Sequence, residues 1–226
     1  MKALIVYAHP EPLSFNAALK NLAVEVLTSA GHQVQVSDLY AMNFTPAGGP
    51  VDFLERVDPD CFRYQREQMH ATSADKFEPQ LKAEMDKLAW ADLVIFQFPL
   101  WWFSLPAILK GWVDRVFAMG FSYGAEQRFE TGVFRGKRAM LAFTTGGPPT
   151  SYGPNGKNGD LDILLRHVQY GMFWFVGMEV LPPFIAYGAA RVDHEQRAAY
   201  LAAYKERLLS LDSTAPIEFY KAAGAT

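Results

Sequence analysis

Leu93-Val94-Ile95-Phe96-Gln97-Phe98-Pro99-Leu100-Trp101-Trp102-Phe103-Ser104-Leu105-Pro106 is the stretch whose reading decides the fold. Its first four residues are an apolar run without polar alternation, as expected of a parallel strand covered on both faces. Gln97 ends the run, an aromatic cluster follows, and Ile108, Leu109, Trp112, Val113, Val116 and Phe117 then recur at helical spacing from about Pro106 to Phe117.

The same order repeats outward from this stretch. Ala3 to Ala8 is a second apolar run, ended by His9-Pro10. Ser14 is placed to N-cap a helix with Leu19, Leu22, Ala23, Val26 and Leu27 on one face and Gly31 at its end. Val34 to Val36 reads as the next strand. From Asn43 to Asp75 prolines, glycines and charges replace the pattern, which predicts an irregular insertion. Helical spacing resumes after Pro79 with Leu81, Met85 and Leu88. Ala139 to Phe143 is a further strand, Leu161 to Phe175 a buried helix, and Val180-Leu181 a short strand. Asp193 and Gln196 resemble a capping box for a last helix with Tyr200, Leu201, Tyr204 and Leu208 inward. The alternation predicts one α/β domain over residues 1–226, a doubly wound parallel sheet with helices on both faces. Ligands in such folds lie beyond the carboxyl ends of the strands.

Composition narrows the function. The 226 residues are 50% hydrophobic and 20% charged, enough for a core without disulfides, and the net charge of -3 gives no electrostatic reason to expect nucleic acid or an anionic membrane. The single cysteine, Cys61, fits a reducing cytoplasm. No apolar stretch is long enough to span a bilayer, and His9-Pro10-Glu11 interrupts the N-terminal run before a signal-peptide core is complete. His32, His70, His167 and His194 do not cluster as metal ligands and read as surface or packing residues, so no metal is expected. A Gly-x-Ser-x-Gly elbow is absent.

Three loops after strands carry candidate chemistry. The first, His9 to Asn16, lacks a G-x-G-x-x-G turn but puts Ser14, Asn16 and free N–H groups at a helix N-terminus, where a phosphate can be held; equally, Ser14 is only a cap and His9 a strand-end histidine. The second, Gln97 to Pro106, suits a flat apolar ligand, with N–H groups around Leu100 to Phe103 at its edge, or else core and dimer packing. The third, Thr144-Thr145-Gly146-Gly147-Pro148-Pro149 continuing through Tyr152 to Gly159, allows close backbone approach, or is a tight turn only. A shared ligand accounts for all three together.

At these residues the chain resembles the DT-diaphorase family, the FAD-dependent NAD(P)H:quinone oxidoreductases. The resemblance runs through Ala3-Leu4-Ile5-Val6 with Ala8-His9, Ser14-Phe15-Asn16, Ser37-Asp38-Leu39-Tyr40-Ala41-Met42-Asn43-Phe44, Ala91 to Leu100, Pro106 to Trp112 and Thr144 to Gly147, with spacing preserved. It implies a flavodoxin-like fold and a homodimer whose subunits complete each other's substrate cavity. It implies that His9, Ser14, Phe15, Asn16 and Ala18 hold the FAD diphosphate and ribose, that Pro99, Leu100, Trp102 and Phe103 meet the flavin, and that Thr144, Thr145, Gly146, Gly147 and Tyr152 complete its site. Arg197 and Leu201 match adenine-side positions, and Asp114 stands where the family has a glutamate. The implied substrate cavity takes Trp102, Phe103, Gly146 and Gly147, with Tyr123, Arg128 and Phe175 from the partner subunit.

The chain departs from the family at four further places. Arg128 replaces an apolar residue, Ala125 replaces the pocket's second tyrosine, and Asn158 stands where the family's charge-relay histidine pairs with the tyrosine. An amide there hydrogen-bonds but takes up no proton near neutral pH. The sequence also ends at Thr226 without the C-terminal extension that helps bind the nicotinamide in longer members, some short members preferring dihydronicotinamide riboside derivatives. The implied activity is ping-pong hydride transfer from NADH or NADPH through FAD, with FMN the lesser alternative, to quinones; azo dyes and nitroaromatics are alternative acceptors. A flavin-bearing regulatory subunit of a potassium-efflux transporter is the non-enzymatic rival, and the Asn43 to Asp75 insertion favours the enzyme. A plain electron-carrying flavodoxin would be more acidic.

Overall fold

The computed structural model describes residues 1–219. Six parallel strands form one sheet: β1 (Lys2–Tyr7), β2 (Gln33–Asp38), β3 (Leu93–Pro99), β4 (Arg138–Thr144), β5 (Glu179–Val180) and β6 (Phe184–Ala186). The order is β2-β1-β3-β4-β5, with β6 pairing β4 further along the same edge as β5. The central β3 is buried at every residue, which is why its sequence lacks alternation. Along β1 the pleat sends Leu4 and Val6 to one face and Ala3 and Ile5 to the other.

The helices are α1 (Phe15–Ser29), α2 (Tyr64–Ala74), α3 (Pro79–Trp90), α4 (Ala107–Val116), the short turns α5 (Leu161–Leu164) and α6 (Arg166–Val168), and α7 (His194–Leu209). One face of the sheet is covered by α1 and α7 through Leu19, Leu27, Tyr204 and Leu208. The other is covered by α3, α4 and the segment after α5 through Leu81, Leu88, Leu109, Trp112 and Phe173. Trp112 is fully buried, edge-on to Phe96, and its indole donates to Glu84 (2.8 Å). The fold class read from the sequence is the one observed.

Two segments differ from their sequence reading. Residues 43–75 are not irregular throughout, because Tyr64–Ala74 forms α2. That helix buries Glu67, Gln68 and Ala71, so it carries almost no apolar stripe to read. Leu161 to Phe175 is not one helix: α5 and α6 are single turns, and Gln169–Trp174 is wound as a π-helix. No helix among the described residues is long and apolar enough to cross a membrane.

Candidate active site

The register of β1, β3 and β4 brings three loops side by side. Tyr7 pairs with Gln97 and Pro99 with Thr144, and beyond the strands Ala8 N–H donates to Gln97 (3.0 Å), Leu100 N–H to Thr144 (2.8 Å) and Thr145 N–H to Ala186 (3.1 Å). Between them lies a cavity of about 660 Å³. Of the residues singled out in the sequence, His9, Ser14, Phe15, Asn16, Ala18, Pro99, Leu100, Thr144, Thr145, Gly146 and Arg197 line it. Leu13 and Trp101, from the loops the sequence singled out, line it too, as do Ala189 and Ala190, which had escaped the reading because they follow the three-residue β6, too short to carry a pattern.

One end of this cavity is built for an anion. The first N–H groups of α1 have no partner within the helix. Ser14 Oγ caps Ala17 N–H (3.1 Å) and the Ser14 carbonyl takes Ala18 N–H, leaving those of Phe15 and Asn16. His9 Nδ1 accepts from Glu11 N–H (3.0 Å), so a neutral His9 carries its proton on Nε2, as a donor. Arg197 spends Nε–H on the Ala189 carbonyl (3.2 Å), which holds its guanidinium at the same cavity. Beneath, the Tyr7 hydroxyl shares a 3.4 Å hydrogen bond with Ser14, and burial raises its ionisation above the ordinary phenol value.

Asn16 does a different job from the one its position suggested. Its side-chain amide is buried, donating to Thr144 Oγ1 and accepting from Gln97 Nε2 (both 2.9 Å). The side chain thus ties all three loops together, and only the Asn16 backbone is left for a ligand.

The loop that continues from its wall residues Pro99 to Trp101 is strained. Trp102 and Phe103 both have left-handed backbones (φ 51° and 58°) at the centre of a turn closed by Trp101 and Ser104, whose N–H groups donate to each other's carbonyls (3.2 and 3.0 Å). Asn-Gly usually fills such a turn. Two bulky aromatics there cost ~1–3 kcal/mol each, and strain of this kind collects at functional sites. Leu100 and Trp101 N–H are thereby consumed, so of the edge donors expected around Leu100 to Phe103 only those of Trp102 and Phe103 stay free. Trp102 is 96% exposed.

In the third loop, Thr145 Oγ1 donates to the Gly147 carbonyl (2.8 Å) and fixes the glycine pair. A Cβ at Gly146 would meet no atom within 4 Å, whereas one at Gly147 would sit 3.1 Å from Asn158 Nδ2 and 3.3 Å from Tyr152 Cε2. Gly147, Tyr152 and Asn158 are thus brought together. The cavity therefore combines an anion-holding helix end with open space beside Gly146, and the strained Trp102–Phe103 turn follows directly on its wall residues Pro99, Leu100 and Trp101. That combination fits a phosphate-bearing, flat, polar-edged group.

Four further predicted residues lie elsewhere. Asp114, Tyr123, Arg128 and Phe175 line a second, larger cavity of about 880 Å³ between the 48–68 region, α4 and the segment after α6. Trp102, Phe103, Gly147, Tyr152 and Asn158 line neither cavity, and Leu201 packs against the α1–α7 core. Within one chain, then, the residues expected to form the substrate site are divided between two places. His167, read as a surface or packing residue, lines the larger cavity and hydrogen-bonds Ser104 (2.9 Å).

Fold and cavity together define an α/β protein of the flavodoxin-like class. Residues 1–208 match Flavodoxin_2, described by its flavodoxin-like fold, and the chain belongs to that family. It is 43% identical over 217 residues to ribosyldihydronicotinamide dehydrogenase (quinone) from Homo sapiens, covering 96% of this chain and 94% of the relative. It is 42% identical over 219 residues to NAD(P)H dehydrogenase (quinone) 1 from Cavia porcellus, covering 96% and 80%. The crystal structure of a Klebsiella pneumoniae protein assigned as a quinone reductase superposes with a TM-score of 0.94 at 46% identity, covering 98% of this chain and 88% of that one.

Proposed function

We propose that the protein is a flavin-dependent oxidoreductase that carries two electrons, as hydride, from NADH or NADPH to a quinone, with FAD as its resident cofactor. The observation that carries this reading is the convergence of three loops on one cavity with an anion end and open space beside Gly146. Relatives named as quinone-reducing dehydrogenases support it.

When bound, the flavin supplies the hydride chemistry. The chain supplies binding and orientation. His9 Nε2 and the N–H groups of Phe15 and Asn16 would hold the diphosphate, with Ser14 and Ala18 shaping the approach and Arg197 on the adenine side. Pro99, Leu100 and the free N–H groups of Trp102 and Phe103 receive the ring, while Thr144, Thr145, Gly146 and Gly147 let it approach the backbone. The Tyr152 hydroxyl would donate to the polar end of the ring and so favour the negative charge that the group can carry there. Asn158 steadies that end by hydrogen bonding and moves no proton.

Leu13 and Trp102, exposed at 92% and 96%, support a homodimer: apolar side chains beside the cavity gain by being covered. Tyr123, Arg128, Phe175 and Asp114 of a second copy would then complete the site that one chain divides. Reach from α1 to Ala190 and Arg197 favours FAD over the shorter FMN. The lone, unpaired Cys61 supports a cytoplasmic location.

The test is a visible spectrum of the purified protein, identification of the released flavin, and initial rates with NADH, NADPH and a dihydronicotinamide riboside against a simple naphthoquinone. Parallel double-reciprocal lines and steady turnover by the isolated protein are expected. Absence of flavin binding, or a stable complex without turnover, overturns the reading.

A further inference from the structure

The larger cavity holds one charge that nothing on its wall neutralises. Lys110 and Asp114 pair with each other (2.5 Å). Arg128 gives one N–H to the Ala125 carbonyl (2.5 Å), and among the described residues no carboxylate lies within ion-pair distance of its guanidinium. Arg128 is exposed, and its Nε–H and remaining amino protons stay available at the cavity that Tyr123 and Phe175 also line.

The arginine is also held in place by its backbone. Its N–H donates to Thr131 Oγ1 (3.3 Å), and its carbonyl accepts from Thr131 N–H (3.0 Å). The next residue, Phe129, is left-handed (φ 52°), and its N–H is fixed to the Phe175 carbonyl (2.9 Å). Phe129 and Tyr123 both meet Phe175 edge to face, at 5.3 and 5.5 Å. A bulky residue kept in a costly conformation beside an unneutralised cation marks a site held ready for a ligand.

We propose that Arg128 makes this cavity selective for planar rings that carry an anionic oxygen group: a carboxylate, sulfonate or phosphate. The guanidinium fork matches two such oxygens, and the neighbouring aromatic rings match the ring. The proposal rests on the reading above that this cavity completes the substrate site. The anion has two possible sources, an acidic acceptor or the phosphates of the nicotinamide donor.

Three measurements on wild type, Arg128→Gln and Arg128→Lys separate these outcomes. The first is calorimetric binding of naphthalene-2-sulfonate against neutral 2-naphthalenemethanol, which needs no turnover. Sulfonate affinity is expected to fall about tenfold relative to the neutral ring in Arg128→Gln, with Arg128→Lys intermediate, as for loss of a charge-assisted hydrogen bond. The second is the ratio of kcat/KM for 1,2-naphthoquinone-4-sulfonate over 1,2-naphthoquinone with one donor; the third is the ratio for NADH over dihydronicotinamide riboside with the neutral quinone. A fall in the acceptor ratio assigns the anion to the acceptor, and a fall in the donor ratio to the donor's phosphates. Sulfonate affinity and both ratios unchanged within about twofold overturn the proposal. Sulfonate discrimination by a protein that turns over no quinone would instead uphold Arg128 and remove the oxidoreductase reading.

Discussion

Ser104 Oγ lies 2.9 Å from His167 Nε2, and the direction of that hydrogen bond is set by the far side of the ring. His167 Nδ1 is 2.8 Å from the Leu164 carbonyl, which can only accept, so the proton of the neutral ring sits on Nδ1 and the serine hydroxyl donates to Nε2. The bond ties the end of the Trp101–Ser104 turn to the segment that lines the larger cavity. Ser104→Ala and His167→Phe should each speed amide exchange at Trp101 and Ser104 in the flavin-free protein about fivefold, the worth of one hydrogen bond near 1 kcal/mol. The double variant should do no more than either single one. Additive effects, read by exchange mass spectrometry over residues 100–105, would show that the two side chains do not hold the turn together.

The glycine pair separates room for a ligand from room for a neighbour. Because a methyl at Gly146 touches nothing within 4 Å, Gly146→Leu should fold with a melting temperature close to wild type while weakening flavin binding more than tenfold by filling the slot. At Gly147 even alanine presses on Asn158 and Tyr152, so Gly147→Ala should lower stability by about 1 kcal/mol, the scale of mild overpacking. Flavin-fluorescence titration together with thermal melts checks both. Equal stability loss at the two positions would contradict this account.

The sheet and the flavin-side cavity were legible because buried parallel strands announce themselves. Ala3 to Ala8 and Leu93 to Phe96 lack alternation since both their faces are covered, and chemistry in such sheets gathers after the strands. Helix α2 stayed invisible because its inward face is Glu67, Gln68 and Ala71, whose burial is satisfied by hydrogen bonds that periodicity does not register. The Ser104–His167 contact joins residues 63 positions apart and has no local pattern. Trp102 and Phe103 were legible as aromatics beside a ligand; that both would be left-handed was not, since side chains of that bulk argue against such a backbone.

The 43–78 region is anchored by a buried ion pair. Asp52 and Arg115 side chains are 0% and 3% exposed and meet at 2.8 Å, with the Tyr64 hydroxyl (2.6 Å) and Gly49 N–H (3.1 Å) also donating to Asp52. Burial, then the Asp52 hydrogen bond and charge, push Tyr64 ionisation upward, so it remains a donor at neutral pH. Asp52→Ala leaves the buried Arg115 only the Thr45 carbonyl (2.7 Å) and a 4.0 Å approach to Glu78, and should cost ~3–5 kcal/mol in urea unfolding. Asp52→Leu combined with Arg115→Met should cost less than Asp52→Ala alone, because it also removes the orphaned charge. A double variant at least as unstable as the single one would count against this.

Glu67 gives the same region an acid limit. Its side chain is 1% exposed and accepts from Val57 N–H (2.8 Å), Arg56 Nε–H (3.2 Å) and Asp58 N–H (3.4 Å). Burial on its own raises the carboxyl, but these donors together outweigh it and hold Glu67 below its ordinary 4.5. The folded state therefore binds fewer protons than the unfolded one in this range, and stability rises with pH across it. The contribution is complete above the unfolded value and is lost as pH falls through the lowered folded one. Glu67→Gln should be less stable than wild type at pH 7, with the difference shrinking below about pH 4.5 as the wild-type carboxyl protonates. Asp58, lowered by the N–H groups of Cys61 and Asp60, leaves a smaller residual slope in the variant. Melting temperature against pH for the two proteins decides it, and curves that stay parallel down to pH 3 would refute the linkage.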